Sequence, residues 1–77
     1  GTGYTTQNYT ATENCIIVGY AMIHQNYATQ MYINDVLISY KTHLSGYIYD
    51  DVFIPLKKGD KFTIMSLHAN LNVYGIK

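Results

Sequence analysis

Three histidines, an adjacent pair of aspartates and a single cysteine are the side chains of this sequence with the most reactive chemistry, and their spacing assigns them no reaction. His24, His43 and His68 are far apart, and none belongs to the short ligand pairs of structural zinc sites. In a trimer, one histidine per chain near a threefold axis would surround an ion with three imidazoles, whereas in a single chain they read as exposed loop residues. Asp50 and Asp51 are neighbours. In extended backbone they point to opposite faces, while general acid–base catalysis needs converging carboxylates, so a solvated turn is the simpler reading. Ser39, Ser45 and Ser66 lack the setting of a nucleophile elbow. Cys15 lies in Cys15-Ile16-Ile17-Val18, reads as a small buried side chain, and has no partner for an intrachain disulfide. The expectation is a protein without catalytic residues, metal or cofactor.

Binding chemistry is better represented. Nine tyrosines, two phenylalanines and no tryptophan accompany 13% charged residues in a chain of 77. Tyrosine offers a broad apolar ring and one hydroxyl at small entropic cost, which suits protein and sugar contacts, although it is also a good strand former. About half of the rings are expected to cover sheets, and the remainder exceed what a domain of this size hides. Two polar segments, His24-Gln25-Asn26-Tyr27 and His43 to Tyr47, combine rings with amide and imidazole groups. Together with Tyr49 they are the candidate binding residues: His24, Gln25, Asn26, Tyr27, His43, Tyr47 and Tyr49.

The elements that must position these groups are strands. Apolar residues alternate with period two, and no stretch keeps a helical repeat. Tyr9 to Thr12 reads as an extended polar entry and Glu13-Asn14 as a bend. From Ile16 to Ile23, Ile16, Val18, Tyr20 and Met22 share one face, while Ile17, Gly19, Ala21 and Ile23 share the other. Both faces are apolar, which places this strand in a sheet covered on two sides, in a sandwich or at a subunit contact. Gly19 and Ala21 leave room for close approach of another backbone or ring. Thr29 to Ile33 and Val36 to Tyr40 flank Asn34-Asp35 as a two-residue hairpin. Tyr47 to Tyr49 reads as an edge strand, Asp50-Asp51 as a break, and Val52 to Leu56 as a strand whose Pro55 marks an edge or bulge. That strand is expected to pair with Lys61 to Leu67 across the turn Lys57-Lys58-Gly59-Asp60, and Leu71 to Ile76 forms the last strand.

Five basic and five acidic side chains cancel, and the only basic cluster is the lysine pair in that turn, so nucleic acid is excluded as a partner. The run from Cys15 to Ile23 is too short for a spanning helix, so membrane insertion is not expected. Targeting signals do not reveal a compartment, and the opening Gly1-Thr2-Gly3 reads as the end of something longer. One domain of 77 residues buries a marginal core, and with no disulfide available, association is the expected supplement.

The segments Tyr9 to Tyr20, Met31 to Ile38, Val52 to Ile64 and Leu71 to Lys77 together resemble the small C-terminal tip domains of tailed-bacteriophage tail fibres. Those modules also open with a Thr-Ala and turn segment, carry a strand, Asn-Gly, strand hairpin, place a Leu-Lys-Lys-Gly-Asp turn before a strand, and stop soon after a last apolar strand. Here Asp35 stands where glycine is usual, and Asn14-Cys15 where Asp-Gly is common. The resemblance implies an all-β, jelly-roll-like antiparallel sandwich over residues 9–77, preceded by a linker over 1–8 and assembled as a homotrimer. It further implies a virion location at the distal, extracellular end of a fibre and host attachment through a saccharide or protein receptor on the bacterial surface. A trimerisation or capping module, or a carbohydrate-binding module appended to a bacterial enzyme, would share these features.

Overall fold

The computed structural model describes residues 3–76, and every regular element among them is a strand. These are β1 (Thr5–Thr10), β2 (Cys15–His24), β3 (Thr29–Ile33), β4 (Val36–Lys41), β5 (Tyr47–Leu56), β6 (Lys61–Ser66) and β7 (Ala69–Gly75). They form two antiparallel sheets, one ordered β1-β6-β3-β4 and the other β5-β2-β7. Packed face to face, with β2 against β3 and β6, the sheets make a small β-sandwich. The ten-residue strands β2 and β5, each about 33 Å long at about 3.3 Å per residue, account for most of the molecule's 40 Å length.

The core follows from period two. On β2, Cys15, Ile17, Ala21 and Ile23 are buried while Ile16, Val18 and Met22 are half-buried and Tyr20 is exposed. Phe62 and Ile64 on β6, Met31 on β3, and Val52 and Leu56 on β5 join Cys15, Ile17 and Ala21 in one cluster. Cys15 is fully enclosed, as its apolar neighbours in sequence foretold. The buried Thr29 hydroxyl donates to the Met22 carbonyl at 2.6 Å, so its polar group enters the core satisfied.

The Asn34-Asp35 hairpin joins β3 and β4 as expected. Both turn residues adopt positive φ, 52° and 66°, the pair of left-handed residues that a type I′ turn requires. Aspartate thus serves where glycine is usual. The Asn34 carboxamide helps to hold the turn, accepting from the Lys61 N–H at 2.9 Å and donating to Asp60 at 3.0 Å. That donation, with the Lys57 N–H, keeps the Asp60 carboxyl below its ordinary range. The pairing of β4 with β3 shifts register between Met31 and Tyr32 and leaves Ile38 as the extra residue of a bulge.

Two expectations are corrected. Lys57-Lys58-Gly59-Asp60 is a tight turn, with Asp60 N–H on the Lys57 carbonyl and Gly59 at φ 91°, but it does not close a hairpin. β5 pairs with β2, and β6 pairs with β1 and β3, so the turn carries the chain from one sheet to the other. Leu56 and Phe62 explain the crossing: both are buried in one core, which they enter from opposite sheets. Ala11 braces the corner, its carbonyl taking the Gly59 N–H and its N–H reaching the Asp60 carbonyl.

Asp50-Asp51 is likewise no break, because β5 runs through it. Asp50 faces the sandwich edge, where Lys41 meets it at 2.8 Å and holds its carboxyl below the usual range, while Asp51 faces solvent. β5 is nonetheless an edge strand, the position in which Pro55 costs no ladder bond. β1 begins at Thr5, within the stretch read as a leading linker, and pairs along β6 from Thr5 with Ser66 to Thr10 with Lys61.

Candidate functional site

The two polar segments singled out in the sequence meet at one end of the three-stranded sheet. Residues 25–28 connect β2 to β3, and residues 42–46 connect β4 to β5. Backbone bonds tie them together: the Gln25 N–H reaches the Gly46 carbonyl at 3.0 Å, and the His43 N–H reaches the His24 carbonyl at 3.2 Å. The Gln25 side chain returns the bond, its Oε1 accepting from the Gly46 N–H at 2.8 Å. Gly46 sits at φ 67°, a conformation glycine adopts without strain. Gln25 therefore serves as a strut, and half-buried His43 is held beside it.

The rings lie on the outer face of the sheet. Alternation places Tyr20, Met22 and His24 outward on β2, and Tyr47 and Tyr49 outward on β5, with Tyr20 opposite Asp51, Met22 opposite Tyr49 and His24 opposite Tyr47. Tyr49 is the centre of the array. Its ring stands nearly perpendicular to those of Tyr20 (5.4 Å, 87°), Tyr47 (5.8 Å, 80°) and His68 (6.1 Å, 82°). Edge-to-face pairs of this kind fix ring orientation beyond the effect of burial alone. Tyr20, Tyr47 and Tyr49 remain 40, 56 and 50% exposed, so the array is ordered by contact without being covered.

A second cluster continues the surface. Tyr27 lies 5.5 Å from the His24 ring and 5.9 Å from Tyr4, whose hydroxyl donates to the Ala28 carbonyl. The Asn26 N–H donates to His24 Nδ1 at 3.0 Å, which leaves the proton of the neutral imidazole on Nε2.

Of the seven residues singled out, Tyr47 and Tyr49 stand in the array, His24 and Tyr27 form the cluster beside it, and Gln25, Asn26 and His43 brace the loops. Tyr20 and His68 complete the array and were missed. Alternation placed Tyr20 beside Met22, but only strand register sets it against Tyr49. His68 arrives through the β6–β7 connection, where its carbonyl accepts the Met22 N–H at 2.8 Å.

The arrangement suits binding. Among the described residues, no group of three or more histidine, cysteine, aspartate or glutamate side chains is placed to hold a metal ion. The principal concavities lie elsewhere. A cleft of about 200 Å³ between β1 and β7 is lined by Tyr9, Ile17, Phe62, Leu71 and Val73, and an open hollow near Asn14, Pro55 and Lys57 lies at the far end of β5. A further apolar surface, Val36, Leu37, Ile38 and Tyr40, follows edge strand β4. No family model, curated protein or solved structure matches the chain.

Proposed function

We propose that this chain is a non-enzymatic, receptor-binding tip domain of a tailed-bacteriophage tail fibre, a jelly-roll-like module that works as a homotrimer at the outer end of the virion. The observation that carries the reading is the ordered, exposed array of Tyr20, Tyr47, Tyr49 and His68, bordered by two loops fastened to one another. Rigid tyrosines with polar tips are favourable contact groups because little side-chain entropy is lost when they are covered. A surface held in place before the partner arrives avoids that ordering cost. Sequence resemblance to fibre tips supplies the biological setting, and the apolar edge of β4 supplies a separate surface for symmetric association.

That same edge favours a second reading, a trimerisation or capping module with no receptor of its own. Light scattering of the purified domain, followed by adsorption of the labelled protein to a panel of bacterial strains, separates the two. The fibre-tip reading expects a particle three times the 8.8 kDa chain mass that adsorbs to at least one strain. A trimer that adsorbs to none is the capping module. A stable monomer removes the fibre-tip reading and leaves an appended binding module in its place.

A further inference from the structure

We infer that the ligand of the Tyr20–Tyr47–Tyr49–His68 array is an uncharged saccharide, with Tyr49 as the stacking ring; the inference rests on the receptor-binding reading and names its ligand class. The first argument is the surface itself. The rings stand on the broad face of the sheet, over β2, which is paired on both sides, and not along the free edges of β5 and β7, so a partner covering them meets side chains and not the backbone ladder to which a peptide strand adds. What it offers is ring faces and edges interleaved with polar groups: the hydroxyls of Tyr20, Tyr47 and Tyr49, the His68 imidazole, and Asn70, whose backbone pairs with Tyr20. A sugar ring has the matching character, with apolar C–H faces for an aromatic ring and a rim of hydroxyls that donate and accept.

The second argument is charge. No described lysine is placed to serve this face. Lys41 is engaged by Asp50, on the opposite side of β5 from Tyr49; Lys61 is engaged by Asp35; and Lys57 and Lys58 lie beyond the far end of β5. Among the described residues, the one carboxylate or lysine beside the rings is Asp51, next to Tyr49 on the outward face and opposite Tyr20. Sialylated, uronate or phosphorylated sugars need a cation, preferably in bidentate contact, to replace their water, and this face repels them instead. The width agrees as well. Three strands at about 4.8 Å spacing place the outer two roughly 10 Å apart, a footprint for a short oligosaccharide.

The test titrates methyl glycosides of glucose, galactose, mannose and N-acetylglucosamine, with 3′-sialyllactose as the anionic probe, into the protein. Aromatic carbon–proton correlation spectra provide the readout. At least one neutral glycoside is expected to shift the Tyr20, Tyr47 and Tyr49 ring signals with millimolar affinity and to outbind sialyllactose. Tyr49→Ala should weaken it about tenfold, while Tyr74→Ala, at the other end of the sheet, should leave it unchanged. Rings that respond to none of the neutral glycosides, or that respond more strongly to sialyllactose, overturn the inference. So does a fall in particle mass on Tyr49→Ala, because the face would then be occupied by a second copy of the chain. Adsorption to cells that survives periodate oxidation of their glycans overturns the saccharide and leaves receptor binding standing. Absence of wild-type adsorption to every strain counts against receptor binding itself.

Discussion

Phe62→Ala is expected to leave little folded protein at 25 °C. Phe62 is 2% exposed and is the largest of the fully enclosed side chains. It sits on β6 between β1 and β3, opposite Tyr9 on one side and Ile33 on the other, so its ring packs where the four-stranded sheet meets Ile17 of the facing sheet. Truncation to a methyl group removes the transfer free energy of the ring and leaves a cavity, together about 3–5 kcal/mol. A domain this small holds little more than about 5 kcal/mol in total. The backbone ladder of β6 is bonded on both sides and does not collapse readily into the gap. Urea titration followed by circular dichroism measures the effect. Phe62→Leu, which keeps most of the volume, should retain a cooperative transition where the alanine variant has almost none. A Phe62→Ala midpoint close to wild type would show that the cleft beside Phe62 absorbs the change, and the description of the core would be wrong.

Gly19→Ala is expected to be nearly as damaging for a different reason. Gly19 lies in the middle of β2 with β7 beside it, and a Cβ there would run into the Asn70 carbonyl oxygen and crowd the Asn70 carbonyl carbon and the Leu71 Cα. All three atoms are backbone, so no side chain can swing away to make room. β7 must shift, and the bonds that hold it to β2 weaken with the shift. About 3 kcal/mol, the upper end of the ordinary overpacking range, is the expected cost. At roughly 4–8 °C per kcal/mol for a domain of this size, the melting temperature falls by roughly 12–24 °C. Scanning calorimetry gives the value directly, and a fall of less than about 4 °C would contradict the close approach. The same displacement reaches the ring array proposed to bind, because β7 follows directly on His68 and carries Asn70. Folded Gly19→Ala protein at low temperature should therefore also bind more weakly.

What the sequence revealed divides along the range of the forces involved. The β3–β4 hairpin was legible because Asn34 and Asp35 can adopt its turn themselves, and the enclosure of Cys15 was legible from its apolar neighbours. The room left at Gly19 was also legible, although nothing in the sequence said that Asn70 and Leu71 would occupy it. The turn at residues 57–60 misled because its glycine and charges report that the chain reverses and are silent on which sheet receives the next strand. That choice is made by Leu56 and Phe62 seeking a common core from opposite sides. Asp50-Asp51 misled for a related reason, since a mid-strand carboxylate is tolerated once Lys41 arrives from β4. At the ring array, the loop residues stood out by composition, whereas Tyr20 and His68 required the β2–β5 register and the path of the β6–β7 connection. The outer face of β2, expected to be covered, is half open in the single chain. Five of the nine tyrosines are exposed, in keeping with the expected surplus.

The most direct measurement of the central claim is adsorption of the labelled Tyr47→Ala and Tyr27→Ala variants to a strain that retains the wild-type domain, with folding and particle mass checked in parallel. Both side chains belong to the ring surface and neither is part of the buried core, so the variants should keep the wild-type mass and melting curve. Their adsorption should fall about tenfold, the scale of one lost aromatic contact. Wild-type adsorption by both variants would contradict the account and move the receptor surface away from this end of the sheet.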